Sequence, residues 1–441
     1  MSASPGATPT VSAGAPAPAP TAASSLWRHA DFLKLWTAET VSQFGSQITG
    51  LALPLAAILV LAANPFQLGL LNAMDALPFL LIGLPAGVWV DRLRRRPILI
   101  VGDVGRGMLL ASIPVAFVLG VLSMLQLYVV GLTVGMLTVF FDVAYQSYLP
   151  ALVDRDRLVD GNAKLEISRS AAFVAGPPVG GGLIGLLGAP IAIFFDALSF
   201  LASAIFIFAI RKPEPAPEPH LDEAGERVGM RRSIREGLAY VVGHRLLRHI
   251  AACTGVGNLF NAMSFAVLML YLVRELGLTP GTIGLVVGIG SIGFLIGALL
   301  PERIQRRIGL GPTIVLSALV DGLALFLIPL APVSAPLPFL VVSTLLTGIG
   351  QVVYNVSQVS LRQAITPDNL LGRMNATMRF VVWGTMPIGA VIGGILGSTI
   401  GLRETLFVGA IGGTLAFLFV LLSPVRSLRS ITEAMPAGAA G

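Results

Sequence analysis

The sequence predicts an all-α membrane protein with twelve transmembrane helices in two pseudo-symmetric six-helix bundles. Three observations support this fold class. The composition is 55% hydrophobic and only 12% charged, apolar stretches of membrane-spanning length recur along the chain, and one sequence pattern appears in both halves. A bilayer core about 30 Å thick needs roughly 20 apolar residues per helix. The mean hydropathy of +0.83 is high for a soluble globular protein.

The chain divides into five segments. Residues 1–25 are rich in Ala, Pro, Ser and Thr, which predicts a disordered cytoplasmic tail. Six-helix bundles are expected at 26–210 and 246–423, with a cytoplasmic linker at 211–245 that contains an amphipathic helix, and a second cytoplasmic tail at 424–441. The expected spans are 35–61, 66–90, 97–119, 125–148, 163–187, 190–210, 247–273, 281–300, 312–331, 336–358, 372–398 and 403–423.

Basic residues alternate between the two sides of these spans. Most arginines fall in connections on one side, whereas the opposite connections are short and hold only Arg274 and Arg403. Because cytoplasmic loops retain Lys and Arg, we expect a multi-pass protein of the cell membrane with both termini in the cytoplasm. The net charge of +6 is then a property of the loops, and no nucleic acid partner is expected.

An internal repeat supports the division into two halves. The stretch QSYLPALVDRDRLVDGNAKLEISRS after the fourth span resembles QVSLRQAITPDNLLGRMNATMRF after the tenth. The aligned pairs are Gln146 with Gln358, Leu158 with Leu370 and, with one gap, Asn162 with Asn375.

Several classes of protein are disfavoured by what the chain lacks. Its single cysteine, Cys253, leaves no Cys-rich metal site, and its four histidines fall in or beside polar segments. The P-loop pattern G-x-x-x-x-G-K-[ST] is absent, which argues against ATP as the direct energy source. We therefore expect no cofactor, no metal site and no catalytic residues.

Two motifs carry a resemblance to a known family. GVWVDRLRRRP, from Gly87 to Pro97, resembles the cytoplasmic-loop signature G-x-x-x-D-R-x-G-R-R of the major facilitator superfamily, with Arg94 where a second Gly is usual. AGPPVGG, from Ala175 to Gly181, resembles the exporter-associated signature G-P-x-x-G-G. The residue pattern along the whole chain is similar to that of the branch that contains macrolide-efflux proteins and siderophore exporters. The resemblance implies alternating access, in which the halves rock about a central cavity, often driven by protons.

The loop motif predicts a latch between the halves. The Asp91 carboxylate can accept hydrogen bonds from helix N-terminal amides or pair with an arginine; for the neighbouring arginines, the alternative is simple positive-inside bias. Asp103 with Arg106, and Glu166 with Arg169, are three residues apart and can neutralise each other on one helical face. For Arg379, facing the cavity and reaching Asp91 both stay open. The predicted gating residues are Gly87, Asp91, Arg92, Arg95, Arg96, Asp103, Arg106, Arg169 and Arg379.

The fifth-span motif removes side chains from one helix surface. Gly176, Pro177, Gly180 and Gly181 predict close packing and a kink. The close packing is either a leak-resistant contact of the antiporter type or ordinary packing between small residues.

Ionisable residues inside spans are costly and therefore candidates for function. Asp75 lies about half-way along the second span with Asn72 on the same face, and it is the first candidate for proton coupling, followed by Asp142 and Glu166. The alternative for Asp75 is a buried hydrogen-bonding role. Glu39 is near a membrane edge, and the family places the spans of Asp196 and Asp321 at the periphery, so these three rank lower.

Neutral polar residues on the inner spans predict the substrate cavity. They are interspersed with aromatic and apolar residues, a mixture that suits a bulky amphipathic compound; hydrogen bonding between helices is the alternative role for each. The predicted cavity residues are Gln43, Gln47, Asn72, Tyr145, Gln146, Asn258, Asn261, Gln351, Tyr354, Asn355 and Gln358.

These observations and the resemblance together lead to a functional hypothesis. We expect a monomeric exporter that exchanges protons for a hydrophobic or amphipathic small molecule such as a drug, a macrolide-like natural product or a siderophore. A metabolite permease for uptake or facilitated diffusion is the alternative. A polytopic membrane enzyme or receptor is the third, disfavoured because no clustered catalytic set lies near a membrane face.

Overall fold

The computed structural model describes residues 26–90, 93–153, 157–214, 230–430 and 432–434. The predicted tail at 1–25 lies outside these residues. Every regular element in the described part of the chain is helical, in agreement with the predicted all-α fold. The α-helices are α1 (Ala30–Leu59), α2 (Pro65–Val90), α3 (Arg95–Val118), α4 (Met124–Leu152), α5 (Leu158–Leu187), α6 (Ala189–Phe208), α7 (Met230–Gly243), α8 (Arg245–Arg274), α9 (Pro280–Leu299), α10 (Pro301–Ile308), α11 (Leu310–Leu325), α12 (Leu327–Leu330), α13 (Leu337–Ile365), α14 (Asp368–Thr399), α15 (Leu402–Leu415) and α16 (Leu418–Leu421).

These helices form the two predicted sets of six spans. The first set is α1 to α6, and the second is α8, α9, α11 with α12, α13, α14, and α15 with α16. Eleven described helical segments are long and apolar enough to cross a membrane, and α1 is the twelfth span by position. Helix α1 is less apolar than these eleven segments because it contains polar residues such as Glu39, Gln43 and Ser46. These three side chains line an internal cavity.

Several helices extend further than predicted. Helix α5 begins at Leu158, α13 ends at Ile365 and α14 begins at Asp368, because their terminal turns are polar and an apolar run does not include them. Side-chain caps also define helix starts: Phe32 donates its backbone N–H to His29 Nδ1 at 3.0 Å at the start of α1. The short helix α10 lies in a connection expected only to be a basic loop.

Most arginines lie at one end of the helices, which we call the basic end. It carries the start of α3 with Arg95, the start of α8 with Arg245, and α10 with Arg306. The opposite end carries Arg274 at the end of α8 and Arg403 at the start of α15. This distribution follows the alternation seen in the sequence.

Helix packing repeats between the two halves. Helix α1 packs against α5 and α6, and α3 packs against α4 and α6; correspondingly, α8 packs against α14 and α15, and α11 packs against α13 and α15. The halves meet through α5 with α9 and through α14 with α2. Since α14 corresponds to α5 and α2 to α9, the same pseudo-symmetry relates the two contacts between halves.

The hydrophobic cores differ between the two ends. One cluster joins both halves and includes Leu55 and Leu68 of the first half with Leu270 and Ile283 of the second. These residues lie toward the opposite end. At the basic end, each half has its own cluster of buried residues. The described halves therefore share a core at the opposite end and separate toward the basic end.

The start of the linker is bound to the basic end of the first half. The Asp31 carboxylate accepts hydrogen bonds from the backbone N–H of Lys212 at 2.9 Å and of the residue before it at 3.2 Å. The Glu214 carboxylate accepts from the backbone N–H groups of Arg95 at 2.7 Å and Arg96 at 3.1 Å. An anion at these free amides is favourable because a helix N-terminus carries partial positive charge.

Helix α7 lies in the segment where the sequence predicts an amphipathic linker helix, and it packs against the second half. Glu236 pairs with Arg373 of α14 at 2.6 Å, and the Tyr240 hydroxyl donates to the Ile365 carbonyl at 3.3 Å. Gly237 lies directly against the backbone of Arg373. Helix α7 is thus held against α14 by contacts within the protein.

Candidate functional site

A cavity of about 1430 Å³ lies between the two halves. It is larger than common ligand pockets of roughly 300–1,000 Å³. Its walls come from α1 to α6 of the first half and from α8 and α14 of the second. The lining extends to Asn162 near the start of α5 and to Gly372 near the start of α14, so the cavity opens at the basic end.

Backbone contacts between small residues close the cavity at the opposite end. A Cβ built on Gly181 of α5 would lie 3.1 Å from the Gly284 Cα of α9 and would collide with the Pro280 carbonyl oxygen. Likewise, a Cβ on Gly394 of α14 would lie 3.1 Å from the Gly69 Cα of α2. Small residues allow such close approach of helices in a membrane, where apolar burial alone gives little driving force.

The fifth-span motif packs both within the first half and across the boundary between the halves. Gly176 and Gly180 lie against Gln47 and Ile48 of α1, within the first half. On another face of the helix, the next residue, Gly181, lies against α9, across the boundary between the halves. Helix α5 continues through both of its prolines.

Two hydrogen bonds also join the halves at the opposite end. The Arg274 guanidinium of α8 donates to the Ala63 carbonyl between α1 and α2 at 2.8 Å. The backbone N–H of Phe66 donates to Ser398 Oγ of α14 at 3.1 Å. These bonds must break if the halves separate at this end.

Arg274→Gln is expected to make the opposite end open more often. A hydrogen bond from a charged group contributes about 1.5–3 kcal/mol, so its loss predicts at least about tenfold more access from that side. The reporter is a cysteine placed at Gly50, which lines the cavity and has open space around its Cβ, in a Cys253→Ser background. The measurement is its rate of labelling by a membrane-impermeant maleimide added from the opposite side.

Arg403→Gln is the matched control, because Arg403 donates to the Pro329 carbonyl at 2.8 Å within the second half. It should leave the labelling rate unchanged. Equal labelling rates in Arg274→Gln and its parent would show that the hydrogen bond from Arg274 to Ala63 does not hold the opposite end closed.

A buried ion pair is built into the wall of the cavity. Arg106 Nη2 donates to Asp103 Oδ1 at 2.5 Å, and Ser203 Oγ donates to Asp103 Oδ2 at 2.6 Å. The guanidinium carbon lies 4.1 Å from the ring centroid of Phe141 and 4.2 Å from that of Phe200. Asp103 has no exposed surface, so the pair forms as its i, i+3 spacing predicts and is sandwiched between two rings.

Three further carboxylates lie around Arg106. Glu39, Asp142 and Asp196 come from α1, α4 and α6, line the cavity, and fall within electrostatic range of the guanidinium. Glu39 Oε1 accepts a hydrogen bond from Gln43 Nε2 at 2.7 Å. Among the described residues, this part of the cavity therefore holds more acidic than basic side chains.

The remaining predicted charged residues lie toward the mouth of the cavity. Glu166 and Arg169 approach to 4.0 Å, with about two-thirds of each side chain exposed, at 68% and 67%. Arg379 of α14 also lines the cavity, with its guanidinium 5.8 Å from the Trp383 ring centroid. It lies in electrostatic range of Asp142 of the first half.

Asp75 occupies a different part of the cavity. Its side chain is exposed to the cavity and has no hydrogen bond or ion pair with any other described residue. Asn72 on the same face lines the cavity and donates to the Leu68 carbonyl at 3.0 Å. One turn beyond Asp75, the Phe79 ring lies 4.9 Å from the Trp383 ring of the second half, measured between centroids.

Seven residues predicted to line the cavity lie outside its described lining. Asn258 Nδ2 donates to the Val382 carbonyl at 3.1 Å, between α8 and α14, and the Tyr354 hydroxyl bonds Thr254 Oγ1 at 2.7 Å, between α13 and α8. These two side chains join helices, which was the alternative role. Helix α13 is turned so that its described residues do not reach the cavity. The seven are Gln47, Asn258, Asn261, Gln351, Tyr354, Asn355 and Gln358.

The predicted latch is described only in part. Asp91 and Arg92 lie outside the described residues, and Gly87 lines the cavity. Arg96 Nη2 donates to the Phe208 carbonyl at 2.5 Å, and Arg95 lies 3.7 Å from Glu214. Arg96 thus binds the end of α6, and Arg95 binds the start of the linker. Both contacts lie on the side of the first half.

Two carboxylates that line the cavity were ranked below the proton-coupling candidates in the sequence. Asp196 was set aside because its span is usually peripheral, and Glu39 because it is near a membrane edge, yet both line the cavity. A signal for each was present: Glu39 has Gln43 one turn on, and Asp196 has Ser199 three residues on. A polar partner on the same helical face indicates a carboxylate held in place.

The fold and cavity define a class of protein, a membrane transporter of the major facilitator type. Among solved structures, a bacterial homologue of the iron transporter ferroportin, crystallised in an inward-facing state, matches with a TM-score of 0.71 at 18% identity, covering 90% of this chain and 99% of that chain. The model of the transmembrane secretion effector family matches residues 21–437, and the chain belongs to this family.

Two curated relatives are similar over most of their length. The multidrug efflux pump Tap of Mycolicibacterium fortuitum is 28% identical over 374 residues, which cover 82% of this chain and 88% of that protein. The enterobactin exporter EntS of Escherichia coli O127:H6 is 24% identical over 354 residues, which cover 80% of this chain and 82% of that protein. Both relatives are transporters.

Proposed function

We propose that this protein is a monomeric, proton-coupled exporter of amphipathic small molecules that works by alternating access. The observation that carries the proposal is the cavity between the halves, open at the basic end and closed at the opposite end by backbone contacts. A large central cavity with access from one side is what an alternating-access transporter presents when it loads substrate.

The basic end is proposed to face the cytoplasm, with both termini on that side. The positive-inside rule supports this orientation, because connections at the opposite end hold only Arg274 and Arg403. The cavity then opens to the cytoplasm. An exporter takes its substrate from this side.

Export requires the two six-helix halves, 26–210 and 246–423, to rock as units. The α5–α9 and α2–α14 contacts loosen at the opposite end while the basic end closes. Asp91 and the neighbouring arginines are proposed to latch that closed basic end.

The cavity walls suit an amphipathic substrate. Phe265, Phe380 and Trp383 expose 57%, 47% and 39% of their surface and line the cavity, and carboxylates lie among the aromatic residues. Aromatic walls bind apolar surfaces in many orientations, whereas polar groups orient the ligand. The similarity to a multidrug efflux pump and to a siderophore exporter supports the same substrate range.

Asp142 is the proposed proton-coupling residue among Asp75, Asp142 and Glu166. It faces Arg106 and Arg169 of the first half and Arg379 of the second. Proton binding would remove the attraction between Asp142 and Arg379 across the open cavity. A proton could then change the energy of closing the basic end.

Export is testable in inverted membrane vesicles, whose cytoplasmic face is outside. We expect ATP-independent uptake of a labelled macrolide or of ethidium that collapses when a protonophore is added. Asp142→Asn should lose proton-driven uptake but still exchange substrate downhill. Asp321→Asn, a carboxylate outside the cavity lining, serves as the control.

Uptake that a protonophore leaves unchanged would rule out proton antiport. If downhill exchange alone occurred, the permease alternative would replace the exporter.

A further inference from the structure

We propose that the deep end of the cavity is a binding site for a lipophilic organic cation, with the Asp75 carboxylate as its anionic partner. This proposal rests on the proposed export function and names its substrate class. It also gives Asp75 a different role from the proton coupling expected from the sequence.

The charges on the cavity wall favour a cation. Among the described residues, five carboxylates line it, against three guanidinium groups. Two of the three guanidiniums have acidic partners: Arg106 pairs with the buried Asp103, and Arg169 lies 4.0 Å from Glu166. The wall thus has a surplus of negative charge when its groups are ionised. The lining ionisable residues are Glu39, Asp75, Asp142, Glu166, Asp196, Arg106, Arg169 and Arg379.

Asp75 is the carboxylate with the least compensation. It lies ten residues into α2, which begins with Pro65 at the opposite end. It is therefore about 15 Å from that end. No other described residue donates a hydrogen bond to it or forms an ion pair with it, and its side chain is exposed to the cavity. A carboxylate at this depth is costly unless it is paired or wetted. A cationic ligand would supply the missing partner.

Aromatic rings next to Asp75 complete a site for a lipophilic cation. Phe79 is one turn further along α2, on the same helical face, and its ring centroid lies 4.9 Å from that of Trp383 on α14. Phe265 of α8 lines the same cavity. Aromatic faces attract organic cations, and this attraction grows when the site is shielded from water. The carboxylate and Phe79 come from the first half, whereas Trp383 and Phe265 come from the second.

Arg379 is the positive group that could oppose such a site. It contacts the Trp383 ring at 5.8 Å, but its electrostatic partner among the described carboxylates is Asp142. No charged group in the described part of the chain lies within electrostatic range of Asp75. The cavity therefore has two regions: a mixed-charge region toward the basic end, and a deep region with one carboxylate and aromatic walls.

Tetraphenylphosphonium and tetraphenylborate are suitable probes because they match in size and shape and differ in the sign of their charge. Binding is measured by equilibrium dialysis of each ion with the purified full-length protein in detergent. We expect the wild-type protein to bind the cation at least about tenfold more tightly than the anion. Asp75→Asn should weaken cation binding by about tenfold or more, since that factor corresponds to the loss of one close charge partner.

Asp321→Asn is the matched control, because Asp321 is an embedded carboxylate outside the cavity lining. It should bind tetraphenylphosphonium like the wild type. Trp383→Leu should weaken cation binding severalfold, which tests the aromatic wall with the carboxylate intact.

Three results would overturn the cation site: equal binding of both ions, no measurable binding of the cation, or unchanged cation binding in Asp75→Asn. Vesicle transport separates this inference from the proposed function. If Asp75 is needed for cation binding but the wild type moves no substrate, only the exporter proposal fails. If the wild type pumps and Asp75→Asn pumps the cation equally well, only the cation site fails.

Discussion

Gly181→Val is expected to reduce transport by roughly 5- to 150-fold. The new side chain would collide with the Pro280 carbonyl oxygen and crowd Gly284 of α9, so the halves could not approach at the opposite end. Overpacking typically costs about 1–3 kcal/mol. This energy would lower the population of the state that is closed at the opposite end by the same roughly 5- to 150-fold. The measurement is proton-driven uptake into inverted vesicles, normalised to the amount of protein in the membrane.

The neighbouring glycine provides the control for this substitution. A Cβ on Gly182 meets nothing within 4 Å, so Gly182→Val adds the same side chain to the same helix without a collision. It should transport like the wild type. Wild-type transport by Gly181→Val would show that close contact between α5 and α9 is not required in the cycle.

Arg106→Leu is expected to destabilise the folded protein by about 3–5 kcal/mol, the cost of leaving one partner of a buried ion pair uncompensated. Asp103 would remain buried, and Ser203 would be its one remaining hydrogen-bond donor among the described residues. The measurement is thermal unfolding of the purified protein in detergent. Arg169→Leu, which removes a guanidinium whose side chain is 67% exposed, should change the unfolding temperature little.

The double variant Asp103→Asn/Arg106→Leu separates loss of charge balance from loss of packing. Removing the orphaned charge should recover part of the lost stability, because an amide is less costly to bury than an unpaired carboxylate. A double variant no more stable than Arg106→Leu would assign the effect to the contacts with Phe141 and Phe200.

The fold could be predicted because membrane-spanning helices leave strong local signals. The length and apolar composition of each span, and the arginines at its ends, can be read from short stretches of the chain. These signals were therefore enough to identify twelve spans and a basic end. The pair Asp103 and Arg106 was predictable for the same reason, since three residues bring two side chains to one helical face.

The contents of the cavity were harder to predict, because they depend on how each helix is rotated within its bundle. Gln351, Asn355 and Gln358 lie along α13 in a regular pattern, but the pattern does not tell whether that face meets the cavity or another helix. Asp196 was ranked low for a different reason, the usual peripheral position of its span in the family. The anchoring of the linker through Glu214 could not be predicted either, because it joins residues 119 positions apart.

The same helices seal the protein at the opposite end and line the cavity, but they use different atoms for each. The backbone contacts at Gly181 and Gly394 belong to the seal. The seal at the opposite end is made mainly from main-chain atoms, whereas the cavity is lined by side chains such as Asp75 and Trp383. Substitutions that reshape the cavity leave the sealing atoms in place. Point mutations in the cavity can therefore change which molecules bind there, while the main-chain contacts that seal the opposite end stay the same.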